Sequence, residues 1–169
     1  YVFNIFRVTE SAHARFSALS RTYKYYINKR KDPFNYQLTF RTYPVPDITE
    51  MNRACNILFD YEDFTSFSKL HTDVKTNNCR IMEAYWQDTG DQLIFTIKAD
   101  RFLRNMVRAI VGPLLEVGQQ TTNLEEFRRI IEAKDRCKAG TSVPGHALFL
   151  HDITYPDNLR YTNTDKNEK

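Results

Sequence analysis

The stretch that decides the fold is residues 80–99, which read RIMEAYWQDTGDQLIFTIKA. Apolar and polar residues alternate on both sides of the central DTGD, and this period of two is typical of strands with one buried face. The glycine of DTGD suits the tight turn of a hairpin. The sequence therefore predicts an antiparallel hairpin whose inward residues are Met82, Ala84 and Trp86 on the first strand and Leu93, Phe95, Ile97 and Ala99 on the second.

A helix is predicted directly after the hairpin, from about Arg101 to Val117, with Gly118 as its stop. At about 100° per residue its apolar residues gather on one side. These residues are Leu103, Met106, Val107, Ile110, Val111 and Leu114.

Three arginines of this predicted helix, Arg101, Arg104 and Arg108, fall within roughly 60° of each other on another side. A solvated basic face is the simplest interpretation of such a cluster. Arg108, however, lies at the edge of the apolar side, where a guanidinium without a partner is costly. We therefore expect a carboxylate to pair with Arg108.

Three further segments are predicted to be strands: residues 20–30, residues 36–43 as a partner, and residues 146–156. In the first of them, Tyr23, Tyr25 and Ile27 share one face and Lys24 and Tyr26 share the other.

Two more helices are predicted from their capping signals. Asp47 precedes one over residues 46–59, with Glu50 three positions on, and Asn123 precedes another from about 124 to 133, with Glu126 in the same relation. Strands mixed with helices and one clear hairpin favour an α+β fold with a mixed, largely antiparallel sheet and helices packed on one face.

The composition fits one globular domain. The chain has 169 residues, of which 41% are hydrophobic and 27% charged, close to the average of folded proteins. No apolar run approaches the 18 residues of a membrane span, so we expect no membrane partner. We assign residues 1–156 to the domain and expect 157–169 to be a polar, frayed tail.

The basic charge is concentrated in one segment. Between residues 12 and 31 lie six basic residues and no acidic one, although the whole chain carries only +3. Phe16, Tyr23, Tyr25 and Tyr26 are interleaved with them. Basic residues among aromatics suit phosphate and base contacts, but a strand with a solvated basic face explains the pattern equally well.

No catalytic motif of a common enzyme class is present: the chain has no G-x-S-x-G, no P-loop and no G-x-G-x-x-G. Its three cysteines, Cys55, Cys79 and Cys137, are far apart and lack C-x-x-C spacing. We expect reduced thiols of a cytoplasmic protein and neither a metal centre nor a disulfide.

Five blocks carry a family resemblance: HARFSALSRTYKYYI (13–27), DFTSFS (63–68), FLRNMVRAIVGPLLEVG (102–118), AKDRCKAGTSVPGHALFL (133–150) and DITYP (152–156). In this order and spacing the chain resembles the carboxy-terminal half of the tRNA pseudouridine synthase A family, from about Phe6 to Pro156. The resemblance implies isomerisation of uridine to pseudouridine at tRNA positions 38, 39 and 40 in the anticodon stem-loop. It also implies a homodimer that uses no cofactor and no metal.

The resemblance assigns roles to individual residues. Tyr23 is similar to the tyrosine that stacks on the target uracil, and Arg108 to the arginine that pairs with the catalytic aspartate. Leu103 packs either beside the uracil or in the core. The residues that the resemblance places at the RNA are Arg15, Arg21 and Lys31.

The family's aspartate lies in a G-R-T-D-x-G-V motif, and no such string occurs in these 169 residues. The chain begins without methionine, and in the family this motif precedes the HARFSA block. We therefore expect the aspartate upstream and expect this chain alone to be inactive. The aspartate either attacks C1′ or removes a proton from C2′.

Two alternatives remain at this point. One is a non-catalytic RNA-binding module of the RRM type, which would display Tyr23 and Tyr25 on a basic strand but lacks an RNP-type motif. The other is a structural half-domain whose apolar face serves dimerisation.

Overall fold

The structure is a computed structural model that describes residue 2 and residues 4–69 and 76–160. Most of the predicted tail, from residue 161 onward, lies outside the described residues. Its first residues form a short turn, Asp157–Leu159, and Arg160 forms an isolated bridge with Val8.

The predicted α+β fold is confirmed. Five strands form one sheet in the order β2-β1-β4-β3, with β5 also paired to β1. The pairs β1–β4, β1–β5 and β3–β4 are antiparallel, and β1–β2 is parallel. The strands are β1 (Ser20–Asn28), β2 (Phe40–Arg41), β3 (Ile81–Asp88), β4 (Gln92–Ala99) and β5 (Leu148–Thr154).

Three helices pack into one hydrophobic core with the sheet face that carries Tyr25, Phe95 and Trp86. The helices are α1 (Ile48–Ile57), α2 (Met106–Gly118) and α3 (Leu124–Glu132). Both predicted caps are confirmed: the Asp47 side chain accepts hydrogen bonds from the backbone N–H groups of Thr49 and Glu50, and the Asn123 side chain accepts one from Glu126. The local capping signals therefore placed these two helix starts correctly.

The predicted strand over residues 36–43 is wrong, because only Phe40–Arg41 is extended and pairs with β1. The residues before it form turns: the Asp32 carboxylate accepts from the N–H groups of Phe34 and Asn35. Aspartate before proline favours such a turn, and this local bonding outweighs the alternating pattern. Tyr36 and Leu38 are consequently exposed.

The predicted start of α2 is also wrong, since the helix begins at Met106 and not at Arg101. Asn105 adopts a left-handed conformation with φ 69°, which an α-helix does not accommodate. Arg101 and Arg104 therefore precede the helix and share no helical face with Arg108. The six residues of the predicted apolar side are nevertheless all buried, and the helix ends at Gly118 as expected.

A bulge changes one face of the hairpin. The pairing of β3 with β4 shifts between Ile81 and Glu83, so that the extra residue reverses the alternation at this end of the strand. Ile81 is therefore buried, whereas Met82, which we expected on the buried face, is only half-buried. Ala84 and Trp86 are buried as predicted.

The described residues contain no helix with the length and apolar character that crossing a membrane requires. Cys55, Cys79 and Cys137 are free thiols, and the first two are buried.

Gly112 allows a close approach between α2 and the loop of residues 140–145 (GTSVPG), called the 140–145 loop below. A Cβ added at Gly112 would lie 2.8 Å from the backbone oxygen of Thr141. A backbone atom cannot rotate away as a side chain does, so either the loop or the helix would have to move.

We expect Gly112→Ala to lower the free energy of unfolding by about 1–3 kcal/mol, despite the better helix propensity of alanine. Gly145→Ala is the matched control, because its added Cβ would meet only ordinary contacts of 3.6 Å or more. Urea unfolding of the full-length protein measures both. Equal stability of the two variants would contradict the close approach.

Candidate active site

Three parts of the fold meet around Arg108: the middle of β1, the first turn of α2 and the 140–145 loop. The fold brings them together from distant positions, since Tyr25 and Pro144 are 119 residues apart in the chain. Arg108 and Val143 are 35 residues apart.

Arg108 is held by the loop at two points. Its Nε donates a hydrogen bond of 2.6 Å to the carbonyl oxygen of Val143, and its own carbonyl accepts one of 3.2 Å from the N–H of Val143. The guanidinium also lies beside Gly145, where an added Cβ would be 3.6 Å from Cζ. This pairing fixes the base of the side chain and the plane of the guanidinium.

The predicted carboxylate partner of Arg108 is not found within residues 4–69 and 76–160, where the ion pairs involve other residues. Its hydrogen bonds there use Nε and the backbone, not Nη1 or Nη2. Those two amino groups form the planar fork that binds carboxylates in bidentate geometry.

Tyr25 forms the wall next to Arg108. Its side chain is fully buried, and its hydroxyl donates a hydrogen bond of 2.9 Å to the carbonyl oxygen of Pro144. Burial raises the pKa of the Tyr25 phenol well above its usual range, and the positive charge of Arg108 offsets part of that rise. A raised pKa favours the protonated phenol, which is the form that donates the hydrogen bond to Pro144.

Tyr23 lies two residues before Tyr25 and so on the same face of β1. Its ring is partly buried and meets the ring of Phe102 edge-on, with centroids 5.2 Å apart and planes at 88°. Leu103, the next residue, is only 4% exposed. Leu103 packs in the hydrophobic core cluster.

The guanidinium of Arg21 donates hydrogen bonds to three backbone carbonyls. It donates to the oxygens of Ala18 at 3.0 Å and Asp100 at 2.7 Å, and also to the oxygen of Arg15. These bonds tie the segment before β1 to the end of β4. Arg15 itself is exposed, with Cζ 5.5 Å from the ring centre of Phe16.

Lys31 lies beyond the opposite end of β1 from Arg21, and at about 3.3 Å per residue the strand from Arg21 to Asn28 is itself about 23 Å long. Lys31 is exposed and lines a cavity of about 430 Å³ together with Arg41 and His146. Between them, Lys29 pairs with Asp88 at 2.8 Å and Arg30 pairs with Asp91. The predicted basic segment is thus divided between two ends of the strand and partly neutralised.

Comparison with known proteins decides the family. Residues 54–156 match the family model described as tRNA pseudouridine synthase. The chain belongs to the tRNA pseudouridine synthase family. The resemblance seen in the sequence is confirmed, and the alternative of an RRM-type module is not supported.

Relatives of this family member share most of its length. The protein named tRNA pseudouridine synthase A from Parabacteroides distasonis is 65% identical over 158 residues, or 94% of this chain. Those of the same name from Bacteroides fragilis and Bacillus subtilis are 58% and 36% identical over 94% and 85% of this chain. The chain spans 63%, 63% and 59% of the lengths of these three relatives.

The 140–145 loop of this pseudouridine synthase family member is the functional element that sequence reasoning missed. Ser142 accepts hydrogen bonds from Asn105 Nδ2 at 2.6 Å and Arg136 Nη2 at 2.7 Å. The block AKDRCKAGTSVPGHALFL contributed to the resemblance, but neither the motifs nor the resemblance assigned a role to any residue of the loop. Its role rests on backbone carbonyls, for which a sequence pattern has no residue-type signal.

We expect Arg21→Gln to lower the free energy of unfolding by about 1–3 kcal/mol, because a charged donor to three carbonyls is lost. Arg15→Gln removes the same charge from an exposed side chain, and we expect a change within about 0.5 kcal/mol. Urea unfolding of the two full-length variants checks this. A loss of unfolding free energy in Arg15→Gln as large as that in Arg21→Gln would contradict the structural role of Arg21.

Proposed function

We propose that the whole protein is a tRNA pseudouridine synthase and that this chain supplies one wall of its active site. The observation that carries the proposal is the hydrogen bond from Arg108 Nε to Val143 O. This bond fixes the guanidinium plane and so the direction of Nη1 and Nη2. Membership of the family and the names of the relatives support the same activity. We further propose that this chain alone is inactive.

The proposed partner of Arg108 is the aspartate of a G-R-T-D segment elsewhere in the whole protein. A guanidinium within about 4–6 Å keeps a carboxylate ionised, because an opposite charge favours its charged form. Two parallel hydrogen bonds from Nη1 and Nη2 would also fix its direction. Arg108 would therefore keep the aspartate ionised and hold its carboxylate in one orientation.

The reaction is an isomerisation, and its atoms balance without a cofactor. The C1′–N1 bond of uridine breaks, the detached uracil rotates, and a C1′–C5 bond forms. The proton of C5 is lost and N1 is protonated. The aspartate starts the reaction either by attack on C1′ or by removal of a proton from C2′.

Tyr23 is proposed to stack on the target uracil. A base taken out of its helix loses its stacking partners, and an aromatic side chain replaces them. The edge-on contact with Phe102 holds the Tyr23 ring from one side. The same face of β1 then carries both the stacking ring and, through Tyr25, the wall next to Arg108.

The substrate is proposed to be the anticodon stem-loop of tRNA, with uridines at positions 38, 39 and 40. Arg15 and Lys31 are exposed at opposite ends of β1 and suit contacts to phosphates on either side of the target. Arg21 is proposed to support the RNA contact of Arg15 by holding its backbone. A homodimer that works in the cytoplasm, without metal or cofactor, completes the proposal.

Arg108→Ala in the full-length protein is expected to lower the single-turnover rate of pseudouridine formation about 100-fold or more, because the charge that prepares the carboxylate is lost. The dissociation constant for tRNA should change only a few-fold. Tritium release from tRNA labelled at uracil C5 measures the rate, and filter binding measures the affinity.

Arg104→Ala is the matched control for this test. It removes the same charge from an exposed residue just before α2, and the single-turnover rate should stay unchanged. Equal losses of affinity and rate in Arg108→Ala would contradict the role of Arg108. No tritium release from the wild-type protein would refute the proposed activity.

Tyr23→Leu is expected to slow the single-turnover reaction about tenfold or more, since base stacking on an aromatic ring contributes roughly 1–3 kcal/mol. Tyr23→Phe keeps the ring and should retain most of the rate. The same tritium assay distinguishes them. A Leu variant as fast as wild type, or a Phe variant as slow as the Leu variant, would exclude stacking.

A further inference from the structure

We propose that Tyr25 is a positioning residue: its hydroxyl holds the 140–145 loop so that the loop aims the Arg108 guanidinium. The inference rests on the proposed function of Arg108 and adds a residue to which the resemblance assigned no role. Tyr25 contacts neither substrate nor aspartate in this proposal, and it acts only through Arg108.

The first observation is that Tyr25 and Arg108 bind adjacent carbonyls of the loop. Arg108 Nε donates to Val143 O at 2.6 Å, and Tyr25 Oη donates to Pro144 O at 2.9 Å. Consecutive peptide planes share a Cα, and the ring of Pro144 fixes the φ between these two planes. With φ fixed, ψ of Pro144 is the one soft dihedral between the two carbonyls, so holding the Pro144 carbonyl narrows the positions open to the carbonyl that binds Arg108.

The second observation concerns which end of the loop Tyr25 holds. The first half of the loop is held at Ser142, which accepts hydrogen bonds from Asn105 and Arg136. Gly112 lets Thr141 pack closely against α2. Among the described residues, the hydrogen bond that reaches Pro144 comes from Tyr25. Apart from Tyr25, the end of the loop is restrained through Val143, which Arg108 itself contacts, and through the chain that follows.

The third observation is that Tyr25 is itself rigid. It lies in the middle of β1, paired with Phe95 on one side and Leu148 on the other, and its side chain is fully buried. Leu148 is four residues after Pro144, so Tyr25 anchors the chain on both sides of Gly145. The Arg108 guanidinium lies beside this glycine.

Tyr25→Phe in the full-length protein keeps the buried ring and removes only the hydrogen bond to Pro144. We expect the single-turnover rate to fall about 10–100-fold, the loss typical of a slightly misplaced catalytic group, while the dissociation constant for tRNA changes less than twofold. Tyr26→Phe is the matched control, because Tyr26 lies on the opposite face of the strand and meets Phe149; its rate and affinity should stay unchanged.

A double-mutant cycle separates positioning from a general structural role. If Tyr25 acts through Arg108, then Tyr25→Phe should have little further effect in an Arg108→Lys background. The proposal is overturned if Tyr25→Phe is as fast as wild type, if it loses affinity and rate equally, or if it lowers the rate by the same factor in both backgrounds.

A measurement that needs no catalysis keeps this inference separate from the proposed function. In arginine-labelled full-length protein, solvent exchange of the Arg108 Nε–H reports its hydrogen bond to Val143. We expect faster exchange in Tyr25→Phe and unchanged exchange in Tyr26→Phe. Unchanged exchange in Tyr25→Phe overturns the positioning role, whereas an inactive wild-type enzyme with altered exchange refutes the proposed activity alone.

Discussion

The burial of α2 on nearly every side is the constraint on which the rest of the structure depends. Of its residues, Arg108 and Glu116 are the ones not fully buried. A helix without a polar face must be surrounded, and the sheet, α1, α3 and the 140–145 loop together do this. Arg108 lies at the point of α2 that these elements leave partly uncovered. The packing that buries the helix therefore also determines where the Arg108 guanidinium reaches the surface.

Sequence patterns predicted the elements whose cause is local. The capped starts of α1 and α3, the hairpin and β1 follow from residues within a few positions of each other. The errors at residues 36–43, at Met82 and before Asn105 have a different origin. There, a side-chain-capped turn, a bulge and a left-handed residue decide the backbone, and periodicity does not detect such single-residue features.

The sequence suggested a role only for those residues of the candidate site whose side chain is distinctive. Arg108 was identified from its apolar neighbours as well as from the resemblance, and Tyr23 from the resemblance. Arg21 and the 140–145 loop work through backbone carbonyls that are far apart in the chain. Every residue has a backbone carbonyl, so the amino-acid sequence does not show which carbonyls bind Arg21 and Arg108.

The closing strand β5 has a consequence for the order of events during synthesis. The partner strand β5 and the loop that meets Tyr25 are synthesised more than a hundred residues after β1. Contacts between such distant segments require closure of a long loop and form slowly. A nascent chain therefore exposes one edge of β1, and leaves Arg108 without the 140–145 loop, until β5 has left the ribosome; an unpaired strand edge favours misassociation during this interval.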